Sequence, residues 1–254
     1  MPTASRRAPL PFLVPLLLAV TLLFWGVAYL LGGSPTGRPQ GTVYASASTD
    51  EPTAAFSVVV IDAGHGGEDG GASSAAGVVE KDVNLEVAFA LRDLFEAAGI
   101  PVVMTRTEDK LLYDRNVNFQ GRKKVLDLAA RRLIAEQVAA TAAENGGASL
   151  FISIHMNAFP APQYSGMQVW YGTGDPRSAE VAGSIQGASV AIMPDNHRKI
   201  KAAGSGIYLL DRIGTPAVLV ECGFLSNPAE AERLADEAYR RALAAVVLAG
   251  VMGR

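Results

Sequence analysis

The pattern of hydrophobic and polar positions divides the chain into three stretches. Residues 12–31 form an uninterrupted apolar run without a charged side chain, and residues 32–55 are rich in Gly, Ser, Thr, Pro and Ala. From residue 56 to residue 254, short β-branched runs alternate with longer segments in which apolar residues recur at a helical period. This alternation predicts one α/β domain with a core of ordinary size.

Short apolar runs in this domain predict the strands of a mixed central sheet flanked by helices. They lie at residues 57–61, 100–105, 150–154, 167–171, 207–210 and 217–220. After the first run, Asp82 is placed to cap a helix that ends near residue 98, with Gly99 at the C′ position. A strand, a helix and a second strand in this order predict a parallel strand pair.

Further helices are predicted at residues 121–145 and 177–192 and after Asn227. Asn227 is a suitable N-cap, with Pro228 at N1 and Glu230 at N3, which is the arrangement of a capping box. The helix at 121–145 has five basic residues, which give it a basic side. These are Arg122, Lys123, Lys124, Arg131 and Arg132.

The apolar run at residues 12–31 is long enough to cross a bilayer as one helix. Arg6 and Arg7 precede it, so the positive-inside rule puts residues 1–11 in the cytoplasm and the domain at 56–254 outside. Residues 32–55 then form a flexible linker. The alternative is a cleaved signal peptide, for which Ala45-Ser46-Ala47 resembles a cleavage site. The length of the run favours the uncleaved anchor.

The net charge and the cysteine content exclude some classes of protein. The net charge is -3, and it becomes -5 without residues 1–31, which hold two Arg and no acidic residue. An acidic domain lacks the basic surface of a nucleic-acid-binding protein, so we expect no nucleic-acid partner. Cys222 is the sole cysteine, which excludes an internal disulfide framework.

Two histidines and two glutamates lie where strand-like runs give way to loops. His65 follows the first run within a glycine-rich segment, Glu80 precedes the first helix, His155 follows LFISI and Glu221 follows PAVLV. Three ligands drawn from His and Glu, with a further carboxylate to move protons, are what a mononuclear zinc hydrolase needs. Both features also have purely structural explanations. The glycines around His65 fit a tight turn, and a Glu at a helix start is favoured by the helix dipole.

Other polar residues near these positions are candidates for contact with substrate. Asn157 offers an amide shortly after His155, and Arg198 and Lys199 form a basic run that could meet substrate carboxylates. We expect His197 to be a surface residue, because its neighbours are typical of a solvated loop. Cys222 lacks an accompanying Cys–His–Asn motif, so we expect it to be a small packed residue without chemistry.

Several segments keep the order and spacing of a known family. They are DAGHGGEDGGA, EKDVNLEVA, MTR followed by Asp109, SIHMNA and VECGFLSNP. From about residue 57 to the C-terminus the chain resembles the catalytic domain of the zinc-dependent N-acetylmuramoyl-L-alanine amidases of bacterial cell walls. The resemblance implies peptidoglycan as substrate, zinc bound by His65, Glu80 and His155, and Glu221 as the catalytic carboxylate.

Within that family the chain is most similar to the sporulation-type branch. The features that carry this likeness are the apolar N-terminal run, the segment RKIKAAGSGIYLL at 198–210 and the segment GFLSNPAEAERL at 223–234. The likeness implies a role in the maturation of spore cortex peptidoglycan, in which cleavage precedes muramic lactam formation. Two other classes stay open: a zinc peptidase or carboxypeptidase that acts within the stem peptide, and a wall-binding module without activity.

Overall fold

The β-branched runs pair into one six-stranded sheet in the computed structural model, which describes residues 56–113 and 121–253. Its strands are β1 (Val58–Ala63), β2 (Val102–Met104), β3 (Ser149–Asn157), β4 (Gln168–Tyr171), β5 (Lys201–Ala202) and β6 (Ala217–Phe224). They lie in the order β2-β1-β3-β6-β4-β5. Every neighbouring pair is parallel except β4 and β6, which are antiparallel. The predicted mixed sheet and the parallel β1–β2 pair are confirmed.

The helices of the described residues cover both faces of this sheet. They are α1 (Glu80–Ala97), α2 (Lys123–Glu144), α3 (Arg177–Ala188), α4 (Tyr208–Arg212), α5 (Pro228–Ala235) and α6 (Glu237–Met252), with a short 3-10 helix at Ser189–Ala191. Alternate residues of β1 show the two layers. Val59 and Ile61 belong to a core cluster that includes residues of α1, α3 and α6, whereas Val60 belongs to a second cluster with residues of α2 and α4. A strand buried on both faces explains the near-continuous apolar runs in the sequence.

Most helix ends follow local signals in the sequence. Gly99 has a φ of +79° directly after the C-cap of α1, as a C′ glycine requires. The side chain of Asn227 accepts hydrogen bonds from the backbone N–H groups of Ala229 and Glu230, so the predicted N-cap of α5 is confirmed. Asp236 then ends this helix in an extended conformation and caps α6 through the N–H of Tyr239. The single final helix of the prediction is therefore two helices.

Several boundaries differ from the prediction, and one element was wrong in type. Residues 207–210 were predicted as a strand, but Tyr208–Arg212 is a short helix whose buried Leu209 and Leu210 pack beside α2. Short apolar runs do not distinguish a strand from a buried helical turn. Helix α1 begins at Glu80, two residues before the predicted cap at Asp82. Strands β3 and β6 extend past their predicted ends, so His155 and Glu221 lie within strands.

The predicted membrane anchor at residues 12–31 and the linker at 32–55 lie outside the described residues. Within residues 56–113 and 121–253, no helix is both long and apolar enough to cross a bilayer.

Candidate active site

The two central strands place His155 and Glu221 side by side. In the parallel pairing of β3 with β6, His155 is in register with Glu221, and the pairing becomes irregular just beyond this point. On the other side of β6, Gln168 of β4 is in register with Glu221. Neighbouring strands lie about 4.8 Å apart, so both side chains are fixed by the ladder itself. The expected meeting of these two residues at one edge of the sheet is confirmed.

His65 reaches the same place from the loop that follows β1. Among the described residues it is the only non-glycine residue with a positive φ, at +62°. This left-handed conformation costs on the order of 1–3 kcal/mol and persists only where surrounding contacts impose it. A side chain at Gly64 would collide with the imidazole of His155. Glycine at position 64 therefore allows the loop to approach the strand that carries the second imidazole.

Glu80 lies between the two imidazoles at the first residue of α1. Its Oε1 atom is 3.2 Å from Nε2 of His65 and 3.0 Å from Nδ1 of His155. Its Oε1 also accepts a hydrogen bond from the N–H of Met156, and its Oε2 accepts one from the N–H of Ala72. The Glu80 side chain is therefore held by β3 and by the loop before α1, and only 4% of the residue is exposed.

These contacts set the charges of the three side chains. Burial raises the pKa of Glu80, but the hydrogen bonds with His155 and His65 outweigh it and hold the pKa well below its usual value. Burial lowers the pKa of His65, but Glu80 and Asp69 outweigh it and raise the pKa above its usual value. Glu80 is thus an anionic oxygen donor between two imidazoles.

Glu221 has a different environment from Glu80. Burial raises the pKa of Glu221 to about 7, the negative charge of Glu80 adds to this, and His155 opposes it. The Oε2 atom of Glu221 is buried and has no hydrogen-bond partner among the described residues. A buried carboxylate oxygen without a partner is rare away from functional sites. The position suits a group that meets substrate or water.

The donor set of His65, Glu80 and His155 fits a divalent metal ion. Each residue offers one ligand atom, and these atoms all lie within 4.8 Å of one another. The two imidazole rings meet edge to face with their centroids 5.0 Å apart. Two imidazole nitrogens and one carboxylate oxygen make a common set for a catalytic metal, and three protein ligands leave a coordination position open.

Comparison with known proteins agrees with this arrangement. Residues 59–252 match the family model described as N-acetylmuramoyl-L-alanine amidase. A germination-specific N-acetylmuramoyl-L-alanine amidase of Bacillus subtilis (strain 168) is 37% identical over 196 residues, which cover 77% of this chain and 78% of that protein. The chain belongs to the N-acetylmuramoyl-L-alanine amidase family. It is therefore a hydrolase of peptidoglycan that cleaves the amide bond between N-acetylmuramic acid and L-alanine.

Solved structures of the family share the fold of this amidase. The CwlD amidase of Clostridioides difficile, solved in complex with the GerS lipoprotein, is 36% identical with a TM-score of 0.69. The match covers 78% of this chain and 97% of that chain. The amidase AmiC2 of Nostoc punctiforme is 29% identical with a TM-score of 0.61, and the match covers 77% of this chain and 95% of that chain.

The amidase supports its site with residues that the sequence pattern did not single out. Oδ1 of Asp69 lies 3.0 Å from Nδ1 of His65, on the side of the ring that faces away from Glu80. The fully buried Asn84 donates from Nδ2 to the carbonyl of Gly64 at 3.1 Å. Asn84 lies one helical turn after Glu80, so its i,i+4 spacing was the available signal. Such contacts orient metal ligands.

Arg131, which the sequence grouped with the basic side of helix α2, is buried. Only 1% of Arg131 is exposed, and its guanidinium forms ion pairs with Asp62 and Asp127, both at 2.7 Å. Burial raises the pKa of Asp62, but Arg131 and hydrogen bonds from Ser153 and Thr105 outweigh it and keep the pKa below its usual value. The i,i+4 spacing of Asp127 and Arg131 indicated a pair, but nothing in the sequence indicated that it is buried.

The candidate substrate residues lie near the last residues of β3 and β6 and near the first residue of β4. The guanidinium carbon of Arg198 lies 4.4 Å from the ring centroid of Phe224, the last residue of β6, and its Nε donates to the carbonyl of Ser165. Asn157 is half-buried at the end of β3, where its carbonyl accepts from the N–H of Leu225. Lys199 is exposed, and its carbonyl accepts from the side chain of Gln168.

Two residues to which the sequence assigned no chemistry have no part in this site. His197 is exposed, as expected of a surface residue. Cys222 is fully buried, and burial raises the pKa of its thiol further above neutral pH. A neutral thiol within the core is a poor nucleophile, which agrees with a packing role.

Proposed function

We propose that this amidase is a zinc enzyme in which His65, Glu80 and His155 bind the metal and Glu221 is the catalytic carboxylate. The observation that carries the proposal is the convergence of the three donor atoms within 4.8 Å, with Glu221 in register beside His155. Imidazole and carboxylate ligands suit zinc, and a site with three protein ligands is typical of catalytic rather than structural zinc.

The chemistry follows from the placement of Glu221. Zinc bound at this site supplies Lewis acidity to the scissile carbonyl and lowers the pKa of water. Glu221 accepts the proton of the attacking water through its unpartnered Oε2 and then delivers it to the departing amine of L-alanine. Oδ1 of Asp69, 3.0 Å from Nδ1 of His65, orients the ring and leaves Nε2 for the metal.

Three residues near the ends of β3 and β6 and the start of β4 bind the substrate around the scissile bond: Asn157, Arg198 and Lys199. Arg198 supplies positive charge for stem-peptide carboxylates, and Lys199 adds a second charge nearby. The ring of Phe224 and the exposed Tyr164 lie against the Arg198 side chain and keep it in place. Asn157 contributes an amide close to His155, where a peptide group of the substrate needs hydrogen bonds.

The amidase acts on spore cortex peptidoglycan before muramic lactam formation. This proposal is supported by the identity to the germination-specific amidase of Bacillus subtilis and by the similarity to the CwlD amidase of Clostridioides difficile. We also propose that residues 12–31 anchor it with the catalytic domain outside the cytoplasmic membrane. N-terminal sequencing of the mature protein tests the anchor, because a start near Ser48 would show that the segment is cleaved.

Digestion of purified peptidoglycan followed by mass spectrometry tests the reaction and its catalyst. The parent protein releases intact stem peptides that begin with L-alanine, whereas a stem-peptide zinc peptidase would release shortened peptides and a wall-binding module would release none. Glu221→Gln keeps the size of the side chain but removes the base, so we expect kcat to fall by about 10²–10⁴-fold. Zinc content is the control and stays at the parent level.

The muramic lactam content of spores from a strain without the amidase tests the proposed cortex role. We expect muramic lactam to be lost from these spores. Unchanged muramic lactam in these spores would contradict the cortex role and leave the amidase activity untouched. Equal turnover of the parent and Glu221→Gln would instead contradict the role of Glu221.

A further inference from the structure

Consecutive carbonyl groups of the loop that carries His65 are bound by two buried guanidinium groups. Arg131 donates from Nη1 to the carbonyl of Ala63 at 2.7 Å and from Nη2 to the carbonyl of His65 at 2.6 Å. Arg106 donates from Nε to Ala63 at 2.8 Å and from Nη2 to the carbonyl of Gly64 at 3.1 Å. Both arginines are at most 2% exposed. The carbonyls of residues 63–65 therefore all have charged donors.

The two arginines differ in what else they hold. Arg106 also donates to the carbonyl of Lys81 in the first turn of α1, next to Glu80. Arg131 lies on α2. Its Nε donates to Asp127 of the same helix, and its Nη1 donates to Asp62 of β1. Of the two, only Arg131 bonds the carbonyl of His65 itself. Its planar guanidinium presents several donors in a fixed geometry, which an ammonium group does not reproduce.

The left-handed backbone of His65 is what this contact stabilises. In that conformation the imidazole is directed toward Glu80 while the carbonyl of the same residue is directed toward Arg131. Loss of the guanidinium would leave this carbonyl without its charged donor and release the loop to more common backbone angles.

We propose that Arg131 is a positioning residue that sets the zinc-binding geometry of His65 through the main-chain carbonyl of that residue. The inference rests on the proposed function, in which His65 binds zinc. Among the described residues, no hydrogen bond of Arg131 reaches an imidazole, Glu80 or Glu221, so its influence passes through the backbone of the loop.

The zinc dissociation constant of the purified full chain tests this inference, measured by competition with a chromophoric chelator. Arg131→Lys keeps a positive charge for Asp62 and Asp127 but loses the planar fork, so we expect the dissociation constant to rise about 10–100-fold. The matched control is Arg132→Lys, because Arg132 is a partly exposed neighbour that pairs with Glu136 instead. We expect this control to change zinc affinity by less than about twofold.

A double-mutant cycle separates positioning of His65 from a general loss of structure. In a His65→Ala background, Arg131→Lys should cause no further loss of zinc affinity, because the residue through which it acts is gone. An additional loss equal to that in the parent would overturn the proposal. The proposal would also be overturned if folded Arg131→Lys bound zinc as tightly as the parent. That outcome is distinct from failure of the proposed function when the parent binds zinc and His65→Ala binds it more weakly.

Circular dichroism and thermal unfolding of the zinc-free variants show whether each one folds. If Arg131→Lys does not fold, Asp127→Asn replaces it, because the neutral amide weakens the hold on Arg131 Nε and leaves the guanidinium in place. We expect a smaller loss of zinc affinity for this variant, and an unchanged affinity would overturn the proposal. A parent protein that binds no zinc would contradict the proposed function itself and remove the premise of this inference.

Discussion

The two histidines of the site are held in place by different kinds of contact. His155 lies in β3, which pairs with β1 over residues 149–154 and with β6 over residues 151–157, with His155 in register with Glu221. His65 lies in a loop whose left-handed turn is held by side chains from distant parts of the chain, among them Arg131, 66 residues away. One ligand is therefore placed by secondary structure, and the other by buried polar contacts.

This difference predicts how strongly a single substitution displaces each histidine. A strand ladder distributes its hold over many backbone hydrogen bonds, each of which contributes about 0.5–1.5 kcal/mol. The loop concentrates its hold in a few charged groups, whose loss leaves partners buried and unpaired. We therefore expect single substitutions to disturb the His65 side far more than the His155 side.

The largest effect on stability is expected from Asp62→Asn, which weakens the network that holds the His65 loop. Asp62 is fully buried, pairs with Arg131 at 2.7 Å and accepts from Thr105 and Ser153. Removing one charge of a buried pair costs about 3–5 kcal/mol, and a fall of this size in the free energy of unfolding at neutral pH is the expected result. Chemical denaturation of the zinc-free protein measures it.

The same variant gives a pH test with a definite sign. Because the pKa of Asp62 is lowered in the folded protein, its contribution is present above the unfolded pKa and is lost as pH falls through the folded value. The difference in unfolding free energy between the parent and Asp62→Asn should therefore be largest near neutral pH and shrink in acid. A difference that grows in acid would contradict the assigned charge of Asp62.

Gly64→Ala should have an intermediate effect on stability. It disturbs both histidines, because it lies in the loop of His65 and faces the ring of His155. The added Cβ collides with the His155 imidazole, so either the loop or the ring must move. We expect a loss of about 1–3 kcal/mol in stability, as for overpacking, together with weaker zinc binding. Gly183→Ala is the matched control, because Gly183, like Gly64, has no positive φ, but no atom lies within 4 Å of an added Cβ. Its zinc affinity should equal that of the parent.

The smallest effect is expected at the N-cap of α5, where the side chain of Asn227 bonds Ala229, Glu230 and Tyr164 and neither histidine. Asn227→Ala removes the acceptor for the N–H groups of Ala229 and Glu230 and should cost about 1 kcal/mol, which lowers Tm by about 2–4 °C. Calorimetry measures the shift. Zinc affinity should stay unchanged, and a matching loss of zinc affinity would show that the site is sensitive to any destabilisation.

The same contrast explains which parts of the molecule could be predicted from sequence. His155 and Glu221 end apolar runs, and parallel strands bring their carboxyl ends to one edge, so their meeting followed from local patterns. Glu80 at the start of α1 needed the family resemblance, because a carboxylate at a helix N-terminus has an ordinary explanation. The left-handed turn at His65 has local signals only in its glycines.

The supports of the loop could not be predicted in the same way. Arg131 has basic neighbours and the composition of a solvated helix face, but tertiary packing buries it against Asp62, 69 residues away. The run at 207–210 was mistaken for a strand for a related reason, since burial against α2 rather than local preference decides its conformation. Contacts over long sequence separations, which local patterns do not encode, decide both the burial of Arg131 and the conformation of residues 207–210.

Zinc stoichiometry and activity after chelation test the central claim most directly. We predict one zinc per chain in the parent, loss of both zinc and amidase activity after dialysis against a chelator, and recovery of activity on addition of one equivalent of zinc. His155→Ala and His65→Ala should each fail to recover. Full activity in a protein whose metal loss has been verified by elemental analysis would contradict a zinc-dependent mechanism at His65, Glu80 and His155.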